Sequence, residues 1–485
     1  MTVKQLLLMQ INQLKYLNYN NTIHTNPLMR VFFYLDGVYM LKEVNNFKDF
    51  MHMIDEKVIQ KMLLIVVSMF SLTIPIQLIK TMSFDEFPIL TIYNPYNYTV
   101  DMINRMVFTL GLFILMIIFI KRYYEHEFQF MIDKTMIIFL ILCLWIVLIS
   151  MYHGFNDYVL DGQYYRNENI ICFLMYFLIY YYCASMLKKE YKKMVIHILL
   201  VVFDILAFLV FYAQFQLPGY IHFEIPYCGI FYNINHYGYC LTLVCLLSGV
   251  LVCFDNSKYK IFYFMTFLLH FIMLLLNNTF GCYLAVMGGL VFYSIVLFII
   301  NHRIDKRGIL IILFSLFLTM VFYSTRFIPT NNFETLGNDV EKILTKEDAN
   351  HAGSGRWKLW TYSIETLNEK PERWLLGMGI EGISDQLNSE CQIDRPHNEF
   401  LQYIIFFGIP GLLLYIAGII SVFLNGLKHK KKLDIYTIAC IVAAFGYLFS
   451  SFFGNTMAYT TPFFFIILGL SYYQENDCNN NYKVV

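Results

Sequence analysis

The sequence is short of charge. Asp, Glu, Lys and Arg make up 14% of its 485 residues, against roughly 25% in soluble globular chains. That is too little to solvate a soluble multidomain enzyme, and a mean hydropathy of +0.53 agrees with an integral membrane protein. Net charge is missing too, since 35 basic residues offset 35 acidic ones, so no global field draws the chain to nucleic acid. Eleven cysteines are present without one Cys-x-x-Cys, and nearly all lie in apolar runs. That excludes a zinc ribbon or a disulfide framework and leaves them as small packing residues. Residues 1–61 hold seven Lys/Arg and one short apolar stretch, 6–11. They lack the sustained apolar core and small-residue cleavage site of a secretory signal, so no cleaved leader is expected.

Apolar runs are what the chain has in abundance. A helix needs about 20 apolar residues at 1.5 Å each to cross a bilayer core of about 30 Å. Twelve runs qualify as candidate spans: 62–79, 106–120, 135–152, 170–187, 194–213, 237–254, 259–276, 279–300, 308–324, 401–424, 435–453 and 456–473. The expected fold is therefore all-α, a polytopic bundle of about twelve spans. A cytoplasmic segment (1–61) precedes nine spans (62–324), a large, partly helical extracytoplasmic loop (325–400), three spans (401–473) and a cytoplasmic tail (474–485). Apart from Lys260, at the second position of the run 259–276, none of the Lys/Arg falls inside a span; with alternating sides, 24 of the 35 share one side, and eight of the other 11 sit in the long loop. Basic residues collect on the cytoplasmic side, so both termini are expected there. Apolar residues Phe47, Phe50, Met51, Ile54 and Val58 recur at helical spacing. They predict an amphipathic helix, either skimming the membrane or packed under the bundle.

A 75-residue loop is too long for a connector. Within it Ser354-Gly355 precedes Trp357, Trp360, Ile364 and Leu367, a spacing that predicts an amphipathic helix with a Ser cap. Arg356 falls in its first turn, where free N–H groups and a guanidinium fork suit a phosphate; an interfacial Arg beside a Trp belt has the same spacing. Gly377-Met378-Gly379 reads as a turn. Arg395-Pro396-His397-Asn398 abuts the tenth span, which places His397 at the outer interface. A neutral imidazole there can take a proton from a sugar hydroxyl, or serve as a hydrogen-bonded cap. Asn398 can orient it or cap the helix. Gly408 and Gly411 permit close helix packing, and Pro410 adds a kink.

His397-Asn398 followed by Gly408 and Gly411, behind Gly355-Arg356, Trp360 and the Pro371, Gly377, Gly379 cluster, resembles the O-antigen ligase/polymerase superfamily. The resemblance covers about residues 230–470, and the first 200 by topology alone. It implies a bacterial cell-membrane glycosyltransferase that polymerises or ligates surface polysaccharide. The donor would be an undecaprenyl-pyrophosphate-linked oligosaccharide and the acceptor a glycan, lipid or wall component, with no metal or cofactor and no nucleic-acid partner. Transfer would be inverting, with His397 as base, Asn398 beside it and Arg356 on the pyrophosphate. Asn233-Ile234-Asn235-His236 matches the family's Asn-rich approach to an earlier span, so Asn235, His236 and Trp360 are candidate substrate-lining residues. Phe280 stands where many members place an arginine. Arg395 or Arg326 is the candidate substitute, and the departure favours a polymerase over a ligase.

Two other readings have their own residues. A transporter for lipid-linked sugars would use intramembrane ionisable groups, here Asp204, His197 and His270, which also read as bundle hydrogen-bonding groups. A polyprenyl-phosphate-sugar transferase would place an acidic pair in the first outward loop, where Asp85-Glu86 sits.

Overall fold

The computed structural model describes residues 29–35, 38–44, 50–51, 54–82, 96–125, 133–163, 166, 168–216, 234–254, 259–302, 306–324, 332–346 and 349–474. The chain divides into two compact units, residues 1–59 with 116–129, and residues 60–115 with 130–485.

The first unit adds one short hairpin to the otherwise helical architecture. Strands β1 (Met29–Leu35) and β2 (Val38–Val44) pair antiparallel, with Leu35 opposite Val38. Their signal was present in the sequence: Asp36-Gly37 between two apolar runs is a strong short-range hairpin mark. Of the amphipathic helix expected over 47–58, Phe47 lies outside the described residues. Phe50 and Met51 are helical, but the continuous helix α1 begins only at Glu56 (Glu56–Met82).

In the second unit all regular structure among the described residues is helical. It runs α2 (Tyr96–Glu125), α3 (Lys134–His153), α4 (Ile170–Tyr181, prolonged by a π turn to Met186), α5 (Lys189–Gln216), α6 (Ile234–Phe254), α7 (Lys260–Asn277), α8 (Phe280–Asn301) and α9 (Lys306–Ser324). The long loop then supplies α10 (Asn332–Thr345), α11 (Arg356–Asn368), α12 (Glu372–Leu376) and α13 (Ser384–Cys391). Helices α14 (Glu399–Lys428), α15 (Ile435–Ser451) and α16 (Thr461–Leu470) complete the chain. Seven of these, α2, α3, α6, α7, α8, α9 and α14, are long and apolar enough to cross a membrane, and α4, α15 and α16 are shorter apolar helices. The two other expected spans fall on α1 and α5. Helix α6 is the most enclosed of the seven, flanked by α7, α8 and α15.

The expected break in the tenth span is at Gly408, which leaves helical geometry with φ +70° and ψ 177°. Pro410 has no N–H for the Phe406 carbonyl, and a helix pays for such a freed acceptor unless another donor meets it. The loop supplies those donors: Met378 N–H reaches Ile405 O at 2.6 Å and Gly379 N–H reaches Phe406 O at 3.1 Å, while Trp145 Nε1 on α3 donates to Phe407 O at 2.7 Å. The expected turn at 377–379 is thus a backbone strip laid against the kink. Gly408 does not serve helix packing as expected. A Cβ there would lie 2.1 Å from Leu375 O, and one at Gly377 would lie 2.6 Å from Phe406 O. The close helix-to-helix approach is at Gly418, against Phe139 of α3. Since both strip glycines also have positive φ, Gly377→Ala and Gly408→Ala should each destabilise the protein by about 2–4 kcal/mol, read as lost thermal stability in detergent. Gly288→Ala, with open space around its Cβ, should leave it unchanged.

Candidate active site

Two segments far apart in sequence meet over the ends of α4, α6, α14 and α16. One is the turn before α4, residues 154–169, and the other is the end of the long loop, residues 381–398. Tyr158 donates to Asp385 at 2.9 Å. Arg166 grips Asp394 with both ends of its fork, at 2.5 and 2.6 Å. Beneath them Arg395 is fully buried between two buried carboxylates: Nη1 donates to Glu168 at 2.6 Å, and Nε and Nη2 to Glu381. Nη1 also reaches Thr456 O at 2.7 Å, and the Thr456 hydroxyl closes back onto Glu168 at 2.7 Å. Opposite charges in this dry setting hold the Asp394 carboxyl well below, and the Arg395 guanidinium above, their ordinary ranges.

His397 follows directly. Its backbone is left-handed at φ +51°, which Asn and His tolerate better than most residues. The carbonyl before it, Pro396 O, accepts Trp360 Nε1 at 3.0 Å, and Asn398 after it caps α14 through Leu401 N–H at 3.0 Å. The imidazole is clamped from both sides through the backbone, and no hydrogen bond to its ring occurs among the described residues. Burial and the positive charges of Arg166, Arg356 and Arg395 push it down to about 3, against the opposing pull of Asp394. It is therefore neutral across the physiological range, with a lone pair to offer.

Several expectations change in detail. Arg395 does not face a ligand, because its guanidinium is inaccessible and spent on Glu168, Glu381 and Thr456. Asn398 and Trp360 fix the loop around His397 rather than point at a reacting group. The cap of α11 is Gly355 at φ +83°, with no side-chain cap bond, so Ser354 does not cap it. Two of the first-turn N–H groups are already used, Arg356 on Gly353 O at 3.2 Å and Trp357 on Ala352 O at 3.4 Å, which leaves the side chain as the phosphate-binding element there. Helix α11 buries Leu359, Ser363, Thr366 and Leu367 and leaves Trp357 and Ile364 exposed. Arg326 and Asp85-Glu86 lie outside the described residues.

Arg356 stands apart from the ion network. Nη1 donates to Gly353 O at 3.0 Å, its buried Nε has no partner, and no carboxylate pairs with it among the described residues. His236, buried in the first turn of α6, meets Tyr459 OH at 2.6 Å and feels the charges of Arg166, Arg395 and His397; Asn235 is half-buried beside it. The spacing analysis missed Arg166, Glu168, Glu381 and Glu399. Glu399, one residue into α14 and buried, takes Tyr415 OH on one carboxyl oxygen and has no partner on the other. Asn455 has both side-chain polar atoms buried and unpaired, as are the hydroxyls of Tyr239 and Thr460. Glu399 lies two residues before the expected tenth span, so the apolar runs did not single it out.

Residues 265–416 match the family model described as O-antigen ligase. Over this stretch, about a third of the chain, the sequence is similar to that family. The match runs from α7 into α14 and includes Arg356, Arg395, His397 and Asn398, whereas Arg166, Glu168 and His236 lie before it. Comparison with curated proteins gives no match. With the apolar helices, this match supports a glycosyltransferase-like role at a membrane in surface-polysaccharide assembly. Phe280, at the family's usual arginine position, packs on Tyr283 at the start of α8.

Proposed function

We propose that the protein extends or attaches surface polysaccharide by inverting transfer from a polyprenyl-pyrophosphate-linked glycan, an undecaprenyl carrier in a bacterial cell membrane. The observation that carries this is a neutral imidazole held against guanidinium groups that can take up phosphate charge. The acceptor hydroxyl attacks the anomeric carbon and gives its proton to His397, and the carbon–oxygen bond to pyrophosphate breaks, the electron pair leaving with the lipid pyrophosphate. Guanidinium charge stabilises that leaving group without a proton. Arg356, unpaired with any described carboxylate, is its main ligand. Arg166, held on Asp394 by both ends of its fork, serves the loop as Arg395 does, and Phe280 stands where the resemblance places a second arginine. That departure favours polymerisation over ligation. The buried unpaired atoms of Glu399, Asn455, Thr460 and Tyr239 suit sugar hydroxyls, since each left unmet costs about 1–3 kcal/mol.

The residues a transporter would need form bundle contacts. Asp204 accepts from Thr266 at 2.7 Å on one oxygen, its other oxygen lies 3.3 Å from His270 Nδ1, and His197 bridges Lys193 O and Tyr263 OH at 2.8 Å each.

The test is elongation of a polyprenyl-pyrophosphate-linked repeat unit in vesicles with EDTA present, comparing the parent with His397→Ala and Arg356→Ala. Longer lipid-linked glycan from the parent alone supports the reading; labelled lipid-linked sugar crossing the bilayer unchanged replaces it with transport.

A pH profile separates free from donor-bound enzyme. In the free enzyme His397 takes a proton only near pH 3, so kcat/KM for the donor should show no acid limb from it between about pH 5 and 8. A bound diphosphate brings negative charge beside the ring and favours imidazolium, so kcat should lose activity at a higher pH than kcat/KM. An acid limb in kcat/KM near the ordinary histidine value of about 6.5 would count against this placement.

A further inference from the structure

The end of the bundle away from His397 carries its own feature. Helix α6 begins beside the site at Ile234 and ends at Phe254. There it meets the starts of α7 at Lys260 and of α9 at Lys306. A groove of about 270 Å³ opens between them, lined by Val252, Phe264, Leu310 and Phe314 with Lys260 and Arg307. Its floor is closed by the buried Cys253 and Ile311.

Two parallel stripes form the walls. On α7 they run Lys260 then Phe264, and on α9 Arg307, Leu310 then Phe314, so each helix presents a cation first and apolar residues one to two turns deeper. The rings of Phe264 and Phe314 pack at 5.7 Å between centroids. Lys260 and Arg307 are exposed, and Arg307 Nη1 is anchored on Cys253 O, the last turn of α6, at 2.9 Å. The bordering sequence, 255–260 and 302–307, holds five Lys/Arg against two Asp. A basic lip above an apolar slot of this size is complementary to an amphiphile with an anionic head. A volume of about 270 Å³ is too small for a protein helix, about 10 Å across with its side chains, and the lining is too apolar for a free nucleotide or phosphate.

We propose that this groove is a binding site for one anionic phospholipid, its phosphate at Lys260 and Arg307 and an acyl chain along Phe264, Leu310 and Phe314. The lipid fills the slot between α7 and α9 and joins two helices that flank α6, the helix that carries His236 at its other end. Basic lips at helix ends select anionic over zwitterionic lipids through a charge effect worth about a fivefold preference per cation.

The test uses the full chain in phosphatidylcholine vesicles, with Leu310→Trp as a reporter in the groove. Brominated phosphatidylglycerol and brominated phosphatidylcholine are titrated at matched mole fractions, and the quenching of the parent's own tryptophans is subtracted. The anionic lipid should quench the reporter at about 25-fold lower mole fraction, fivefold for each of the two cations. Adding Lys260→Gln should cut that preference about fivefold, and adding Arg307→Gln should bring it to about one. Because Arg307 also holds the end of α6, Lys260→Gln alone decides the matter if the double variant unfolds. Equal quenching by the two lipids in the reporter protein, or a preference that survives Lys260→Gln undiminished, overturns the proposal.

Discussion

His397→Ala should lower kcat for glycan transfer by about 10²–10⁴-fold, the usual worth of a positioned general base, while the protein stays folded. Folding should survive because no described group hydrogen-bonds the ring, so truncation orphans no partner; the clamp runs through Pro396 O and Asn398 instead. The left-handed backbone at φ +51° makes alanine mildly strained, and His397→Asn, which accepts that geometry, is the variant that separates lost chemistry from lost fold. Both should bind donor as the parent does. Arg356→Ala should act differently, weakening donor binding together with turnover, with Arg356→Lys recovering part of the loss because it keeps the charge and loses the fork. Transfer by His397→Asn at the parent's rate would remove the imidazole from the mechanism.

The parts of the molecule that were legible in the sequence are those written in local periodicity. Apolar runs of span length gave the helices, and the glycines flanking Met378 and the Gly408–Pro410 pair marked an irregularity whose kind they could not show. What joins them is a backbone-to-backbone contact between residues about 30 apart, and hydrogen bonds of that sort leave no trace in side-chain spacing. The hairpin was announced by Asp36-Gly37 and overlooked beneath the pull of an all-helical composition. His397 and Arg356 stand out in the sequence through motif and helix position. Arg395 was found but misassigned, because an arginine next to a candidate base looks available until its carboxylates are known. Those carboxylates are Glu168, 227 residues upstream, and Glu381, 14 residues upstream, and only the folded chain brings the first of them near. Arg166 eluded spacing for the same reason, since its partner Asp394 is 228 residues away. Sequence could propose which residue types the chemistry needs, and the fold shows which arginines are held by carboxylates and which is not.

Arg395→Ala should therefore behave as a folding mutation and not as a binding one. It leaves Glu168 and Glu381 buried with no counter-charge, and removing one partner of a buried ion group costs about 3–5 kcal/mol, enough to abolish folding in a marginal protein. The Thr456 carbonyl loses its donor as well. Arg395→Met combined with Glu168→Gln and Glu381→Gln removes the charges together and should recover much of the stability, as hydrophobic replacement of buried ion groups often does. Arg356→Ala, which breaks one hydrogen bond to Gly353 O, should stay within about 1 kcal/mol of the parent. Thermal unfolding in detergent reads all three. An Arg395→Ala protein as stable as the parent but unable to bind donor would mean that this guanidinium leaves its carboxylates for the pyrophosphate. The order Arg395→Ala far below the triple variant, with Arg356→Ala near the parent, assigns Arg395 to holding Asp394 and His397 in place and leaves the phosphate charge to Arg356.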